Sequence, residues 1–496
     1  MKLKELLNRC SCDFDPNEIF DINVEGLSYD SRKIKENYLF FAIKGYKEDG
    51  NKYIDSAIKN GASVIITESD VNSLKKRYKD FKLNFLRVND IRKCMANVSS
   101  EFYSRPSENL KLIGITGTNG KTTIAFLIKA ILEEAGGKCG LIGTIDYMIG
   151  DEKIVSSLTT PESVEINKML SDMISSGLEF CVMEVSSIAL TLERVHGLSF
   201  DAGIFTNLSS EHLDLHETME NYYQAKKQLF DMLNDNGIAI SNIDDIYGEK
   251  ILGDTFAMKV FYSISTESQY RAMNETFSIE GLEFEISLGE QNYKIHSKLS
   301  GRFNIYNVLA AIAITKELNI DMEIIQKVIN KFEPVNGRFN KINLPNGAYA
   351  VIDYSHTSDS LKNAIESAIE IRDNQMTKGR VITVFGCGGN KDKTKRSVMG
   401  EYATSLSDHT IITSDNPRYE KPMDIINEIL NGIDKNKSFE VEEKRQEAIK
   451  KGIMLSSEGD IILICGKGHE TYQEVEGVRT HFDDKEVVEN HLHLAS

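Results

Sequence analysis

Leu112-Ile-Gly-Ile-Thr-Gly-Thr-Asn-Gly-Lys-Thr-Thr123 decides how the rest of the chain is read. Leu112, Ile113 and Ile115 form a strand that runs into Gly117, Thr118, Asn119, Gly120, Lys121, Thr122 and Thr123. Ile124, Leu127, Ile128, Ile131 and Leu132 then recur along one helical face until Gly136-Gly137 stops the helix. A strand, a glycine turn and a helix N-terminus turn several backbone N–H groups toward a phosphate. Lys121 is placed to neutralise terminal phosphates and Thr122 to hold Mg²⁺. Only GxxGKTT of the longer phosphate-loop pattern is present, because Ile115 stands five positions before Gly120. The competing reading is a tight strand–helix turn with a solvated lysine.

Working outward, apolar strands alternate with amphipathic helices in three stretches, a pattern that favours parallel α/β sheets. The first, 1–105, holds a strand at Tyr38–Ile43, a helix at Tyr53–Asn60 and a strand at Ala62–Thr67. It ends at the polar Ser104-Arg-Pro-Ser-Glu-Asn, which reads as a linker. The second, 106–335, opens on the phosphate loop and includes Ser300-Gly-Arg-Phe-Asn-Ile-Tyr-Asn with an Ala-rich helix after it. The third, 336–496, carries strands at Tyr349–Asp353, Val381–Phe385, Thr410–Thr413 and Ile461–Cys465.

At 496 residues the chain exceeds one core. A net charge of −17 argues against broad binding to nucleic acid or anionic membranes, while leaving room for an anionic small substrate on local basic loops. No apolar run approaches the roughly 20 residues of a membrane span. Met1–Arg9 is a short amphipathic helix leading to Cys10 and Cys12 without a secretory stretch, so a cytoplasmic protein is expected. The seven cysteines contain no CxxC pair, and Cys181, Cys387 and Cys465 lie in apolar runs as small hydrophobes.

Lys226 stands three or four positions from Tyr222, Tyr223, Leu229 and Phe230, inside the apolar stripe of its helix, whereas Lys227 points away. Desolvation there favours the neutral amine. Spacing alone leaves open a lysine that snorkels from the edge of the stripe. Glu184 closes the apolar strand Phe180-Cys-Val-Met-Glu, and an acid at that end of a strand beside a phosphate loop suits Mg²⁺.

The wording Gly114-Ile-Thr-Gly-Thr-Asn-Gly-Lys-Thr-Thr resembles the shortened phosphate loop of the Mur ligase family, and the resemblance extends over nearly the whole chain. It implies a three-domain α/β protein: a central ATP-binding domain between an N-terminal UDP-binding domain and a C-terminal Rossmann-like domain. It also implies ATP-driven amide formation in which a carboxylate becomes an acyl phosphate that an amine attacks. Tyr-x-x-Ala-Lys226-x-x-Leu-Phe resembles the family motif whose lysine carries a CO₂-derived carbamate, a carboxylate-like ligand for Mg²⁺. Thr206-Asn-Leu-Ser-Ser-Glu-His212 resembles the metal-histidine segment. The implied metal set is Thr122, Glu184, His212 and Lys226.

By the same resemblance Ser31, Thr159, Thr160, Ser186 and Arg194 hold a UDP-N-acetylmuramoyl dipeptide. Asn304 and Asn307 approach the adenine nucleotide, and Arg338, Asp353 and His356 form a set delivered by the third domain. Closure of that domain would keep water from the acyl phosphate. The glycine turn Gly386–Lys391, the loop Thr413–Tyr419 and Gly466-Lys-Gly-His-Glu470 each follow a strand, and together they make a ligand crevice. Asp415-Asn416-Pro417-Arg418 resembles the signature of the family's meso-diaminopimelate-adding members, whose substrate has a distal carboxylate suited to an arginine fork. Lys391, Gly466 and Glu470 join the amino-acid site on the same ground.

Several positions depart from the family's wording: Ile188 for histidine, Glu211 for aspartate, Leu158 for asparagine, Asn51 for histidine, Lys391 for arginine and Ser358 for proline. These fall mostly on substrate contacts and imply a divergent second copy. The leading expectation is a monomeric ligase adding meso-diaminopimelate to UDP-N-acetylmuramoyl-L-alanyl-D-glutamate in peptidoglycan precursor synthesis. A relative making another amide (L-lysine addition, a polyglutamate-type or a natural-product bond) and a nucleotide-binding protein without turnover are the alternatives.

Overall fold

The computed structural model describes residues 1–8, 19–45 and 48–495. Cys10, Cys12 and the last residue of the expected first helix lie outside the described residues; the helix itself covers Leu3–Asn8. Three sheets define three α/β domains. The first is four-stranded and parallel in the order Gly26–Ser28, Tyr38–Phe41, Ala62–Thr67, Asn84–Arg87.

The central sheet has 11 strands, and the strand Lys111–Thr116 sits inside it between Phe200–Phe205 and Phe180–Glu184, parallel to both. That placement explains its continuous apolar run, since both faces are covered. The helix Lys121–Glu134 lies on one face with Ile124, Leu127, Ile128 and Ile131 fully buried. The helix Phe303–Glu317, apolar around nearly its whole circumference, packs against it.

The expectation of an all-parallel sheet needs correcting at both edges. Tyr270–Ser278, Gly281–Leu288 and Gln291–Ser297 form an antiparallel meander, and Asp146–Ile149 pairs antiparallel with its two neighbours. The first meander strand alternates inward Tyr270 and Ala272 with outward residues, the period of a half-solvated strand.

The third sheet runs Asn340–Asn343, Tyr349–Asp353, Ile461–Cys465, Val381–Phe385, His409–Ile412, Phe439–Val441, parallel except for its first strand. Its order places the ends of Tyr349–Asp353, Ile461–Cys465 and Val381–Phe385 side by side, so the three loops that follow them share one rim. The segment read as a linker is pinned: Ser107 is buried, and its Oγ accepts from Ser199 N at 3.1 Å. Cys94, Cys139, Cys181, Cys387 and Cys465 are buried free thiols. Among the described residues no helix is long and apolar enough to cross a membrane.

Candidate active site

The phosphate loop turns on two left-handed glycines, Gly117 (φ 144°) and Gly120 (φ 90°). A Cβ at Gly117 would sit 1.8 Å from Thr206 Oγ1, and one at Gly120 would sit 2.3 Å from Asn307 Oδ1, so neither position accepts another residue. Asn307 is thereby seated against the loop, with its Nδ2 donating to Asn304 Oδ1 at 2.8 Å. Asn119 N donates to Asn207 Oδ1 at 2.9 Å, and Thr118 N to Asn207 O at 2.8 Å. Lys121 folds back on the loop, its Nζ donating to Gly117 O and Thr118 O at 2.8 Å.

Lys226 reaches the same loop from the helix Met219–Asp231, whose N-cap Thr218 accepts from Asn221 N. Its Nζ donates to Gly117 O at 2.8 Å and lies 4.5 Å from the centre of the Tyr222 ring. The side chain is 1 % exposed, so it does not snorkel to solvent. Burial, reinforced by the Lys121 charge, holds its amine well below the usual lysine range.

Glu184 is buried at the end of its strand. Its Oε2 accepts from Thr122 Oγ1 at 3.0 Å and Thr144 Oγ1 at 2.9 Å, and its Oε1 from Thr144 N at 2.8 Å. Thr144 is a site residue that sequence reasoning missed. It follows the strand Cys139–Ile142, which neighbours that of Glu184, so the parallel order was the signal. Among the described residues no trio of His, Cys, Asp and Glu gathers to hold a metal. The adjacent hard oxygens of Glu184 and Thr122 suit an ion that completes its shell with phosphate oxygens and water, as Mg²⁺ does. His212 stands at φ 56° with Nε2 3.6 Å from Glu211 Oε1.

Glu211, in sequence terms only a departure from the family's wording, occupies the seam between domains. His356 Nε2 of the third domain lies 3.6 Å from the same Oε1. Burial pushes Glu211 upward, but His212, His356 and Lys121 together bring it below its ordinary value. Two further residues close the seam. Arg338 Nη2 donates to Thr122 Oγ1 at 3.0 Å, and Asp359 Oδ2 accepts from Asn119 Nδ2 at 3.0 Å and Ser209 Oγ at 2.8 Å. Arg338 Nε is buried and makes no hydrogen bond. Asp353 accepts from Phe339 N at 2.7 Å and Ser355 N at 2.8 Å; it braces the Arg338 turn rather than facing the loop, and burial raises its carboxyl.

On the acceptor side Thr160 Oγ1 donates to Glu184 O at 2.8 Å and accepts from Ser186 N at 3.0 Å, and Thr159 Oγ1 lies 3.2 Å from Thr144 Oγ1. Arg194 is engaged within the protein, donating to Glu162 Oε1 and Thr160 O, each at 2.9 Å. It therefore frames Thr160 as well as offering charge. Ser31 is buried on the turn Ser31–Lys33 of the first domain, whose neighbour Tyr29 donates to Glu165 Oε1 at 3.0 Å.

In the third domain, Asn416 Nδ2 donates to Glu470 Oε2 at 2.7 Å, and Gly466 (φ 117°) adjoins the Asp415 carboxylate. Arg418 holds φ 54° and donates through Nη1 to Gly389 O at 2.9 Å. Gly389 N in turn donates to Asn416 O at 2.8 Å, and Pro417 packs on Gly389. Lys391 is exposed on the same glycine turn. A continuous path links these loops to the phosphate loop: Arg338 lies 4.8 Å over the Tyr354 ring, whose centre is 4.8 Å from that of His469, next to Glu470.

A phosphate loop in a central α/β domain, met across a seam by Arg338 and Asp359 of a third domain, is the architecture of a Mur ligase. Residues 23–103 match the Mur ligase family catalytic domain, 115–315 the Mur ligase middle domain and 337–468 the Mur ligase glutamate ligase domain. The chain belongs to the Mur ligase family. It is 44% identical over 491 residues to the UDP-N-acetylmuramoyl-L-alanyl-D-glutamate--2,6-diaminopimelate ligase of Clostridium tetani, covering 98% of each. It is 42% identical to the ligase numbered 1 of that name in Clostridium acetobutylicum, over 98% of each. A solved structure of a UDP-N-acetylmuramoyl-L-alanyl-D-glutamate--2,6-diaminopimelate ligase superposes with a TM-score of 0.69 at 28% identity, covering 100% of this chain and 99% of the other.

Proposed function

We propose that this protein is an ATP-dependent ligase that joins meso-diaminopimelate to UDP-N-acetylmuramoyl-L-alanyl-D-glutamate in peptidoglycan precursor synthesis. The observation that carries the proposal is the unbroken contact from the phosphate loop through Arg338, Tyr354 and His469 to the loop holding Asn416 and Arg418. It supports reading these third-domain loops and the phosphate loop as parts of one site.

In this reading the loop N–H groups and Lys121 bind the ATP phosphates, with Asn304 and Asn307 against the nucleotide. Thr122, Glu184 and His212 would hold Mg²⁺, which would supply neutralising charge. The neutral amine of Lys226 would add to CO₂ and lose a proton, and the resulting carbamate would offer a carboxylate-like oxygen to the metal. Ser31, Thr159, Thr160, Ser186 and Arg194 hold the UDP-dipeptide. Its terminal carboxylate oxygen attacks the γ-phosphorus, ADP leaves, and an acyl phosphate results. The amine of diaminopimelate then attacks the acyl carbon, phosphate departs and one proton is released. The third domain, latched through Asp359 and Arg338, keeps water out.

Phosphate release by the purified protein with ATP, Mg²⁺, the UDP-dipeptide and a panel of amino acids tests this directly. Release that requires both the dipeptide and diaminopimelate is expected. Release that proceeds without the dipeptide, or with none of the amino acids, would overturn the proposal.

A further inference from the structure

Lys467 lies at the centre of the third-domain rim with a wholly buried side chain. Its Nζ is 3.0 Å from Asn416 Oδ1, 3.4 Å from Glu470 Oε2 and 3.6 Å from Asp415 Oδ1. Its acceptors are fixed to the chain: Gln473 Nε2 donates to Asp415 O at 2.7 Å and Glu474 N to Asn416 Oδ1 at 3.0 Å. Asp415 Oδ1 is buried and accepts no hydrogen bond. The Lys467 ammonium pairs with that oxygen by charge at 3.6 Å but makes no hydrogen bond to it, which leaves the buried oxygen room for a closer donor.

Charge counting gives the cluster its meaning. Asp415 and Glu470 contribute two negative charges, and Lys467 and Arg418 two positive ones, so the pocket is neutral overall. Arg418 alone would leave it one negative charge in excess. Uncompensated charge in a buried site is costly, so the occupant that fits is the one that keeps the sum at zero.

We propose that Lys467 sets the charge balance of this pocket and so selects an amino acid whose distal end carries both an ammonium and a carboxylate. The inference rests on the diaminopimelate reading and assigns a specificity residue to it. The distal ammonium supplies the hydrogen bond that Asp415 Oδ1 lacks, and the distal carboxylate meets Arg418. L-Lysine brings an ammonium alone and leaves Arg418 unmatched. 2-Aminopimelate brings a carboxylate alone, adds a negative charge to the neutral pocket and leaves Asp415 Oδ1 without a hydrogen bond. Lys467 acts through its neighbours as a positioning residue.

The test measures kcat/KM for meso-diaminopimelate, L-lysine and 2-aminopimelate in the full-length protein, its Lys467→Met and its Lys467→Arg variants. The wild type is expected to favour diaminopimelate over both others by about tenfold or more. Lys467→Met should cut the preference over L-lysine at least about tenfold, mostly through KM for the amino acid and with KM for ATP unchanged. Lys467→Arg should restore the preference. A Lys467→Met enzyme that keeps the wild-type ratio overturns the inference. So does a wild type that uses 2-aminopimelate as readily as diaminopimelate, a measurement that needs no variant to fold. A wild type that releases phosphate with none of the three overturns the ligase reading itself.

Discussion

Lys121 and Lys226 donate to one and the same acceptor, the carbonyl oxygen of Gly117, each at 2.8 Å. Two ammonium groups on one buried oxygen repel, and the deeper of them has the less favourable position. Burial and the Lys121 charge accordingly hold Lys226 far below its ordinary value. That direction favours the neutral amine, the form the proposed reaction with CO₂ needs. On a carbamate the repulsion from Lys121 would become attraction, so the geometry that disfavours the ammonium would favour the proposed modification.

Lys226→Ala should therefore keep nucleotide affinity, which the proposal assigns to the loop N–H groups and Lys121, while ligation falls by about a hundredfold or more, the usual consequence of losing a metal ligand. Equilibrium nucleotide binding and phosphate release separate the two effects. Partial rescue by a short carboxylic acid is expected, and full activity in the variant would sink the carbamate assignment.

Asp359 ties the third domain to the phosphate loop through Asn119 and Ser209, and holds Asn363 Nδ2 at 3.1 Å. Hydrogen bonds to a charged group contribute about 1.5–3 kcal/mol each. Asp359→Ala should lower kcat/KM for ATP by roughly 10- to 100-fold without lowering Tm by more than a few degrees, because the contact joins domains rather than building a core. A large Tm loss with unchanged kinetics would show that Asp359 is structural only.

The core strands were readable because buried parallel strands are apolar throughout: Ala62–Thr67, Tyr349–Asp353, Val381–Phe385 and Ile461–Cys465 fall where their composition placed them. The meander Tyr270–Ser297 was missed because only one of its faces is buried, and its alternating charged residues resemble surface helix. Lys226 could be read from helical spacing, and its 1 % exposure excludes the snorkelling alternative. Glu211, Asp359 and Lys467 could not. Each gains its role from partners on another loop or domain, such as His356 for Glu211 and Asn119 for Asp359, and no local pattern carries such a pairing.

The glycine turn after Val381–Phe385 is fastened to the Arg418 loop by Arg396, whose guanidinium bonds Gly388 O and the carboxylates of Glu420 and Glu428. Hydrogen bonding to Arg396 holds Glu420 down at about 2, against an ordinary value of 4.5. A carboxyl depressed on folding adds stability that is fully present above its unfolded value and is lost as pH falls through the folded one. The wild type should thus lose Tm between pH 4.5 and 2, and the gap between it and Glu420→Gln should shrink over that range. A gap independent of pH would count against the ion pair.

In the proposed reading Arg418 meets the distal carboxylate of the amino acid. Its guanidinium is braced on Gly389 O at 2.9 Å, and its backbone sits at φ 54°, where asparagine is tolerated better than alanine. Removing a bidentate arginine–carboxylate pair from a closed site costs on the order of 2–4 kcal/mol, or roughly 30- to 1,000-fold in selectivity. Both Arg418→Ala and the less strained Arg418→Asn should remove most of the preference for meso-diaminopimelate over L-lysine, with Arg418→Asn keeping the higher Tm. Lys391→Arg should raise kcat/KM for both amino acids by a similar factor, because a fork on the common carboxylate does not distinguish them. Kinetics with the two amino acids on the three variants decide the matter. A wild-type preference for L-lysine would refute the specificity while leaving the ligase chemistry intact, and a preference that survives both Arg418 changes would move the discrimination to other residues of the rim.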